Sequence, residues 1–327
     1  MLTRRRFVAT AAAALAAPLV CPTFRVARAQ QAGIGDAARA LPRLHSILLQ
    51  RGDEVLFAEA FRGPGLDRPA NIKSCSKSLL ALLLGTAIDR GEVPGVEARL
   101  TAVAPGIVPP DATSGVETIT LEDLVTMRAG LAPTSGPEYG AWVNSDDWVA
   151  YALRRPMTAQ PGGRMIYSTG TTHILGAALA TAAGQDLLAL ARSRLGDPLA
   201  IEIPAWTRDP QGYYLGGNQM ALTPRAMLRI GMLMRDGGRY DGAQVIPQDW
   251  IDASTRPRTR SPWSGLGYGY GWFLSETGYA IARGYGGQVI AANPAHDLAV
   301  AITSDPDRPA RSRGYFGDLM AFLDGPV

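Results

Sequence analysis

Lysine is almost missing from this chain. Of 32 lysines and arginines in 327 residues, only Lys73 and Lys77 are lysines, so arginine supplies the other 30 cations. Arginine stays charged in a protein, whereas a desolvated lysine can give up its proton and act as a base. A lysine kept three residues after a serine, as Lys77 is after Ser74, in a chain that otherwise avoids lysine therefore points to chemistry. Histidine is nearly as scarce, at His45, His173 and His296. His45 falls in a predicted strand, His173 in a helix and His296 in a turn, and no G-x-S-x-G elbow is present. A Ser-His-Asp triad has little to draw on. Cysteine is limited to Cys21 and Cys75, and no Cys/His cluster has metal-ligand spacing. Neither a metal nor another cofactor is expected.

Long apolar runs are also lacking. The chain opens Thr3-Arg4-Arg5-Arg6-Phe7-Val8, continues as an Ala/Leu run to Val20, and reaches Ala27-Arg28-Ala29. That is a basic start, a short apolar stretch and a small-x-small cleavage site. A membrane span needs ~20 apolar residues, and this run is shorter and Ala-rich, so no stable membrane anchor is expected. The paired arginines resemble a twin-arginine export signal over residues 1–29, cleaved after Ala29. The expectation is a periplasmic or secreted protein that meets the twin-arginine machinery on its way out. Bulky Val20 before Cys21 argues against a lipoprotein. Loss of five arginines and no acid takes the net charge from +3 to −2, and no nucleic-acid surface is expected. Cys75 is then the only cysteine, so no intrachain disulfide forms.

The stretch that organises the rest is Asn71-Ile72-Lys73-Ser74-Cys75-Ser76-Lys77-Ser78, followed by Leu79-Leu80-Ala81-Leu82-Leu83-Leu84. The run reads as a buried helix beginning near Ser74. Residues i and i+3 share a helix face, which puts Ser74 beside Lys77 where backbone N–H groups and the helix dipole favour an anion. A hydroxyl beside a partly buried amine is what a nucleophilic serine needs. A serine cap followed by a chance lysine is the alternative, and the lysine scarcity weighs against it. Lys73 reads as a partly exposed cation near the site.

Residues 30–327 suit one large domain. Leu44 to Gln50 and Glu54 to Ala60 flank Arg51-Gly52-Asp53 as a β-hairpin. Strands are predicted at Gly271 to Leu274, Tyr279 to Ala292 with a break near the glycines, and Leu298 to Ser304, followed by a helix from Gly314 to Leu323. Helices are predicted at Leu121 to Arg128, Asp146 to Arg154, Thr172 to Ala183, Leu187 to Leu195 and Pro224 to Arg235. Strands at both ends with helices between predict one antiparallel sheet from residues 30–95 and 250–327, with a helical lobe at 96–249 inserted.

Two further stretches stand out. In Pro161-Gly162-Gly163-Arg164-Met165-Ile166-Tyr167-Ser168-Thr169-Gly170, a glycine turn delivers Tyr167 before a helix starting near Thr171. Its phenol could share a proton with Lys77, or simply rest half-buried on a carbonyl, which this segment alone favours. In Ala282-Arg283-Gly284-Tyr285-Gly286-Gly287-Gln288, a glycine-rich strand edge could bring a second backbone donor beside the Ser74 N–H. A bulged hairpin is the equal alternative. Gly265-Leu266-Gly267-Tyr268-Gly269-Tyr270-Gly271 alternates with aromatics and leads into a strand, so a strand entry beside the cleft fits better than a phosphate loop.

Taken together, these stretches resemble the serine β-lactamase and penicillin-binding-protein superfamily, in particular its class-C-like esterase and amide-hydrolase branch (6-aminohexanoate-dimer-hydrolase-like). The order S-x-x-K, Y-x-N variant and K-T-G-type strand is shared. So are Ile119-Thr120-Leu121-Glu122-Asp123-Leu124 with Gly130-Leu131, Gly216-Gly217 and Leu222-Thr223-Pro224. The resemblance implies an α+β fold with a five-stranded antiparallel sheet flanked by helices and an inserted helical lobe. It implies Ser74 as acylated nucleophile, Lys77 as general base and Tyr167 as proton shuttle, with the backbone N–H groups of Ser74 and Tyr285 as oxyanion hole. Thr169, Arg283, Gly284 and Gly286 fall at substrate-binding positions. Thr169 replaces the motif asparagine, and Ala282 stands where Lys or His is usual, with Gly284 as motif glycine or Gly286 in a second register. The expected function is an exported serine hydrolase of carboxyl esters or small amides. The alternatives are a β-lactamase or D-Ala-D-Ala-type peptidase, and a catalytically silent cell-envelope binding protein.

Overall fold

The strand-forming segments from the two ends of the chain meet in one antiparallel sheet. The computed structural model describes residues 32–325; the leader and its cleavage site at residues 1–29 lie outside the described residues. The strands are β1 (Leu44–Arg51), β2 (Glu54–Ala60), β3 (Thr259–Arg260), β4 (Gly267–Tyr268), β5 (Phe273–Leu274), β6 (Ala280–Gly284), β7 (Gln288–Asn293) and β8 (Leu298–Ser304). Their order across the sheet is β2-β1-β8-β7-β6-β5-β4-β3. The sheet has eight strands where five were expected. The five long ones form its body, and the two-residue strands β3, β4 and β5 extend it beyond β6. β3 and β4, at two residues each, carry no period-2 pattern and are not predicted as strands, whereas β5 is the end of the strand predicted at Gly271 to Leu274. Gly271, predicted inside a strand, instead turns the chain before β5 with φ +78°.

Register sorts the side chains onto two faces. Leu48 pairs with Ala301, Ala301 with Ile290, and Ile290 with Ala282. This row joins a core that runs through the helix Ser76–Asp89 to Leu124, Leu153, Leu175 and Leu190 of the helical segment. The neighbouring row, Ile47, Ile302, Val289 and Arg283, lies on the opposite face. There Ile34 of the helix at residues 32–39, with Phe316 and Leu319 of the helix Tyr315–Leu323, forms a second core.

Between residues 76 and 254 the regular structure is mostly helical, with helices separated by turns and irregular chain. Pro224–Arg235 forms as predicted, with Thr223 capping the Ala226 N–H. Thr169–Ala183 begins a turn earlier than expected. The helix predicted from Leu121 ends at Val125, because Met127 takes φ +62° and reverses the chain. Leu187–Ala191 passes into a π turn at Arg192–Gly196. Among the described residues no single helix is long and apolar enough to cross a membrane.

The helix Ser76–Asp89 is held by burial more than by propensity. Leu79, Leu80, Leu82, Leu83 and Leu84 are all at most 3% exposed, which at 1.5–3 kcal/mol each is on the order of 10 kcal/mol of transfer free energy. Its small residues receive other elements. The Ser78 hydroxyl donates to the Gly271 carbonyl at 2.6 Å, and a Cβ on Gly85 would lie 2.4 Å from the Trp250 ring.

Candidate active site

Ser74 sits in a 3-10 turn, Lys73–Cys75, that feeds directly into the helix Ser76–Asp89. The helix therefore starts two residues later than expected, yet the turn keeps Ser74 and Lys77 together. Lys73, just before Ser74, holds φ +52°, a left-handed conformation costly for a side-chain-bearing residue. Two contacts fix it: the Lys73 N–H donates to Asn71 Oδ1 at 2.8 Å, and the Ser76 hydroxyl donates to the Lys73 carbonyl at 2.6 Å.

Lys77 is 3% exposed. Its Nζ lies 2.6 Å from the Gly217 carbonyl oxygen, 3.3 Å from Ser74 Oγ and 3.3 Å from Thr169 Oγ1. No Asp or Glu among the described residues pairs with it. Burial without a counter-anion disfavours the ammonium and lowers the Lys77 pKa to about 7, against a small upward pull from Cys75. A neutral amine has two hydrogens and one lone pair. The Gly217 carbonyl can only accept, and the Thr169 hydroxyl can also accept, which leaves the lone pair for the Ser74 hydroxyl.

Tyr167 arrives from the turn before the helix Thr169–Ala183, and Lys77 Nζ lies 5.1 Å from its ring centroid. Burial pushes its pKa up to about 12, with the Ser74 hydroxyl pulling the other way. The Tyr167 phenol therefore keeps its hydrogen at neutral pH, and the Lys77 amine is the more easily deprotonated of the two. Lys77 and Tyr167 form no direct hydrogen bond among the described residues; Lys77 reaches Ser74 Oγ, and Tyr167 lines the cleft beside Ser74.

Ser74 and Tyr167 open into a cleft of about 580 Å³, walled by Trp263, Phe273, Gly284 and Tyr285 and carrying Arg283, Arg311 and Arg313. Gly284 abuts the Ser74 turn, since a Cβ there would meet the Ile72 carbonyl at 2.3 Å and Lys73 Cβ at 3.2 Å. Gly286 instead packs on the Asp305 carbonyl with φ +86°, outside the cleft wall. Of the two candidate motif glycines, Gly284 therefore lies against the Ser74 turn and lines the cleft, and Gly286 does not. The Ser74 and Tyr285 N–H groups donate to no acceptor among the described residues.

Neither residue that departs from the motif lines the cleft. Ala282 is fully buried on the sheet face toward the helix Ser76–Asp89. Arg283 points the other way, with Cζ 3.7 Å from the Phe316 ring centroid. It donates to Ser312 Oγ at 2.9 Å and the Ala310 carbonyl at 2.6 Å. Burial lowers its pKa to about 10, and none of Arg283, Arg311 and Arg313 has a carboxylate partner among the described residues. Thr169 turns inward behind Lys77 and away from the cleft wall, because the helix starts at that residue. The Ser135 hydroxyl accepts from its N–H at 2.9 Å and lies 3.1 Å from its Oγ1.

Ser135, Arg311 and Arg313 are site residues that sequence reasoning missed. Ser135 is 34 residues from Thr169, and the arginines lie in irregular chain, so no periodic signal marks them. Gly216-Gly217 was visible as a family likeness, without its role as acceptor for Lys77.

A family model described as Beta-lactamase matches residues 45–322. The chain is 25% identical over 309 residues to the 6-aminohexanoate-dimer hydrolase of Paenarthrobacter ureafaciens, covering 85% of this chain and 78% of that protein. Among solved structures, a penicillin-binding protein homologue from Caulobacter crescentus superposes with a TM-score of 0.75 at 16% identity, over 91% of this chain and 98% of that one. EstCE1, a hydrolase with promiscuous acyltransferase activity, also gives 0.75 at 16% identity, over 93% and 99%. With that match spanning the sheet, the S-x-x-K helix and the cleft between them, the chain belongs to the Beta-lactamase family of β-lactamase-fold hydrolases.

Proposed function

We propose that this protein is an exported serine hydrolase that cleaves carboxyl esters or small amides through an acyl-enzyme on Ser74. The observation that carries the reading is Lys77: a fully enclosed amine with a pKa near neutrality, no counter-anion, and the Ser74 hydroxyl 3.3 Å away. Ser74 Oγ attacks the substrate carbonyl carbon while its proton passes to Lys77. The oxyanion formed takes the Ser74 and Tyr285 N–H groups as donors. When the intermediate collapses, the alcohol or amine leaves with the proton returned from Lys77 by way of the Tyr167 hydroxyl. Water then releases the acid by the reverse sequence. A catalytically silent binding protein has no use for a desolvated lysine, which costs stability.

Arg283, Arg311 and Arg313, without a carboxylate partner among the described residues, favour substrates that carry a carboxylate beyond the scissile bond, and Gly284 would let the substrate backbone lie along β6. They also support a second reading, a β-lactamase or D-Ala-D-Ala-type peptidase, since those substrates are carboxylates. Against it, a β-lactam must be held at two points to meet the oxyanion donors in one orientation, and neither Ala282 nor Thr169 offers a cleft-facing anchor. Comparing kcat/KM for a p-nitrophenyl acetate or butyrate with that for a chromogenic cephalosporin tests the choice. The ester should be clearly preferred, and a preference for the cephalosporin would transfer the assignment to the second reading. The residue 1–29 leader supports export through the twin-arginine route. Its test is whether replacing Arg4, Arg5 and Arg6 by lysine leaves the enzyme in the cytoplasm.

A further inference from the structure

His173 takes no part in the chemistry above, yet it is a fully buried titratable group near the site. It is fully buried on the helix Thr169–Ala183, with the rings of Trp142 and Trp148 edge-on at 5.8 and 5.6 Å. Its Nε2 lies 2.9 Å from Asp209 Oδ2, and its Nδ1 accepts the Gly216 N–H at 3.2 Å. These partners determine the tautomer. The Gly216 N–H can only donate, so Nδ1 is bare, and the hydrogen on Nε2 goes to the carboxylate. Asp209 is itself anchored, its Oδ1 accepting the Tyr213 N–H at 2.8 Å.

Gly216 is joined to Gly217, whose carbonyl makes the shortest contact to the Lys77 amine. Both glycines are seated without slack. A Cβ on Gly216 would lie 2.5 Å from the Thr172 carbonyl, and one on Gly217, at φ +93°, would lie 2.4 Å from Thr172 Oγ1 and 2.7 Å from Lys77 Cγ. The peptide that orients Lys77 is therefore pinned at one end by His173 and at the other by Lys77 itself. A shift of about 1 Å in such a contact is enough to cost ~10²-fold in rate.

We infer that His173 and Asp209 are positioning residues for the general base: they hold the Gly216-Gly217 peptide so that the Gly217 carbonyl aims the Lys77 lone pair at Ser74. This rests on Lys77 being the base. Substitution separates the two ends of the imidazole. In His173→Asn the side-chain oxygen falls where Nδ1 was and can still accept from Gly216, although Asp209 loses its partner. In His173→Gln the amide reaches Asp209, and Gly216 loses its acceptor.

The test measures kcat, KM and the pH profile of kcat/KM for a p-nitrophenyl ester with both variants and Asp209→Asn, each below its own unfolding temperature. For His173→Gln the inference expects kcat to fall by ~10²-fold with KM within about threefold, and the acid limb near pH 7 to move. His173→Asn should retain at least ~10-fold more activity than His173→Gln. Asp209→Asn puts an amide N–H against one of the donors it now accepts from, so it should lower kcat by ~10-fold or more. Lower unfolding temperatures with wild-type kcat and an unmoved acid limb in all three would overturn the inference, leaving the pair purely structural. A Lys77→Arg variant run alongside separates the two levels. If it stays active, the base assignment itself fails; if it is dead while the His173 variants behave as wild type, only the positioning role fails.

Discussion

Lys77 Nζ lies 3.3 Å from Ser74 Oγ in a site where no carboxylate among the described residues neutralises it. That pairing separates this centre from an ordinary buried ion pair, because burial is free to drive the amine toward its neutral form. Activity should therefore rise with pH through about 7 as Lys77 loses its proton, which a pH profile of kcat/KM on a short-chain ester reads directly. Lys77→Arg keeps the charge but cannot accept the serine proton, and a loss of at least ~10²-fold is expected. Lys73→Arg should be nearly silent, and equal effects of the two would remove Lys77 from the role of base. Tyr167→Phe, which deletes only the hydroxyl, should also cost ~10²-fold if it passes the proton to the leaving group.

The same amine makes stability depend on pH. Its pKa is about 7 folded and 10.5 when exposed, so between those values the unfolded chain holds a proton that the folded one lacks. Lys77 therefore makes folding more favourable as pH rises through that window, by about 1.4 kcal/mol per unit. Below pH 7 both states are protonated and the burial cost stands in full. Denaturant unfolding of wild type and Lys77→Met at pH 7, 8.5 and 10 checks this. The wild type should gain on the variant at each step, and parallel curves would mean the lysine is not desolvated.

Arg283 should confer a preference for anionic substrates. It is partly buried, stacked on Phe316 and without a carboxylate partner among the described residues. The half-ester mono-p-nitrophenyl glutarate should be turned over better than p-nitrophenyl butyrate, with an advantage that shrinks as salt is added. Arg283→Met should remove about tenfold of that advantage while leaving the neutral ester little changed. Equal loss on both esters would make Arg283 a structural residue.

The packing of the helix Ser76–Asp89 offers an independent check away from the chemistry. A Cβ on Gly85 would lie 2.4 Å from the Trp250 ring, which is itself stacked on Tyr270 at 5.0 Å. Gly85→Ala adds a better helix former yet should destabilise the protein by about 1–3 kcal/mol through overpacking. A denaturation midpoint at or above that of the wild type would show that Trp250 gives way freely.

Much of this architecture can be read from the residues alone, and the exceptions have physical causes. Leu44–Arg51, Leu298–Ser304 and Pro224–Arg235 form close to or at their expected bounds because each has enough length to display a period and a cap or turn at its end. The helix from Leu121 was read too long because a single left-handed residue, Met127, ends it, and no composition rule places φ +62° on a methionine. Ser74, Lys77 and Tyr167 do converge. What stayed hidden around them is backbone and distant hydroxyl: the Gly217 carbonyl has no side chain to flag it, and Ser135 reaches Thr169 only through tertiary packing. Arg283 was found by position, but its direction follows from register with Val289 and Ile302, which a single strand does not reveal.

The most direct measurement is to label the purified protein with a fluorophosphonate and locate the adduct by peptide mass spectrometry. The account predicts a single adduct on Ser74, absent from Ser74→Ala, which folds normally because losing a side chain in that turn costs only ~1 kcal/mol. Cys75 should be untouched, since its thiol is fully buried and held strongly protonated. An adduct on Cys75 or Ser76, with Ser74→Ala still hydrolysing esters, would contradict the assignment of the nucleophile and the mechanism built on it.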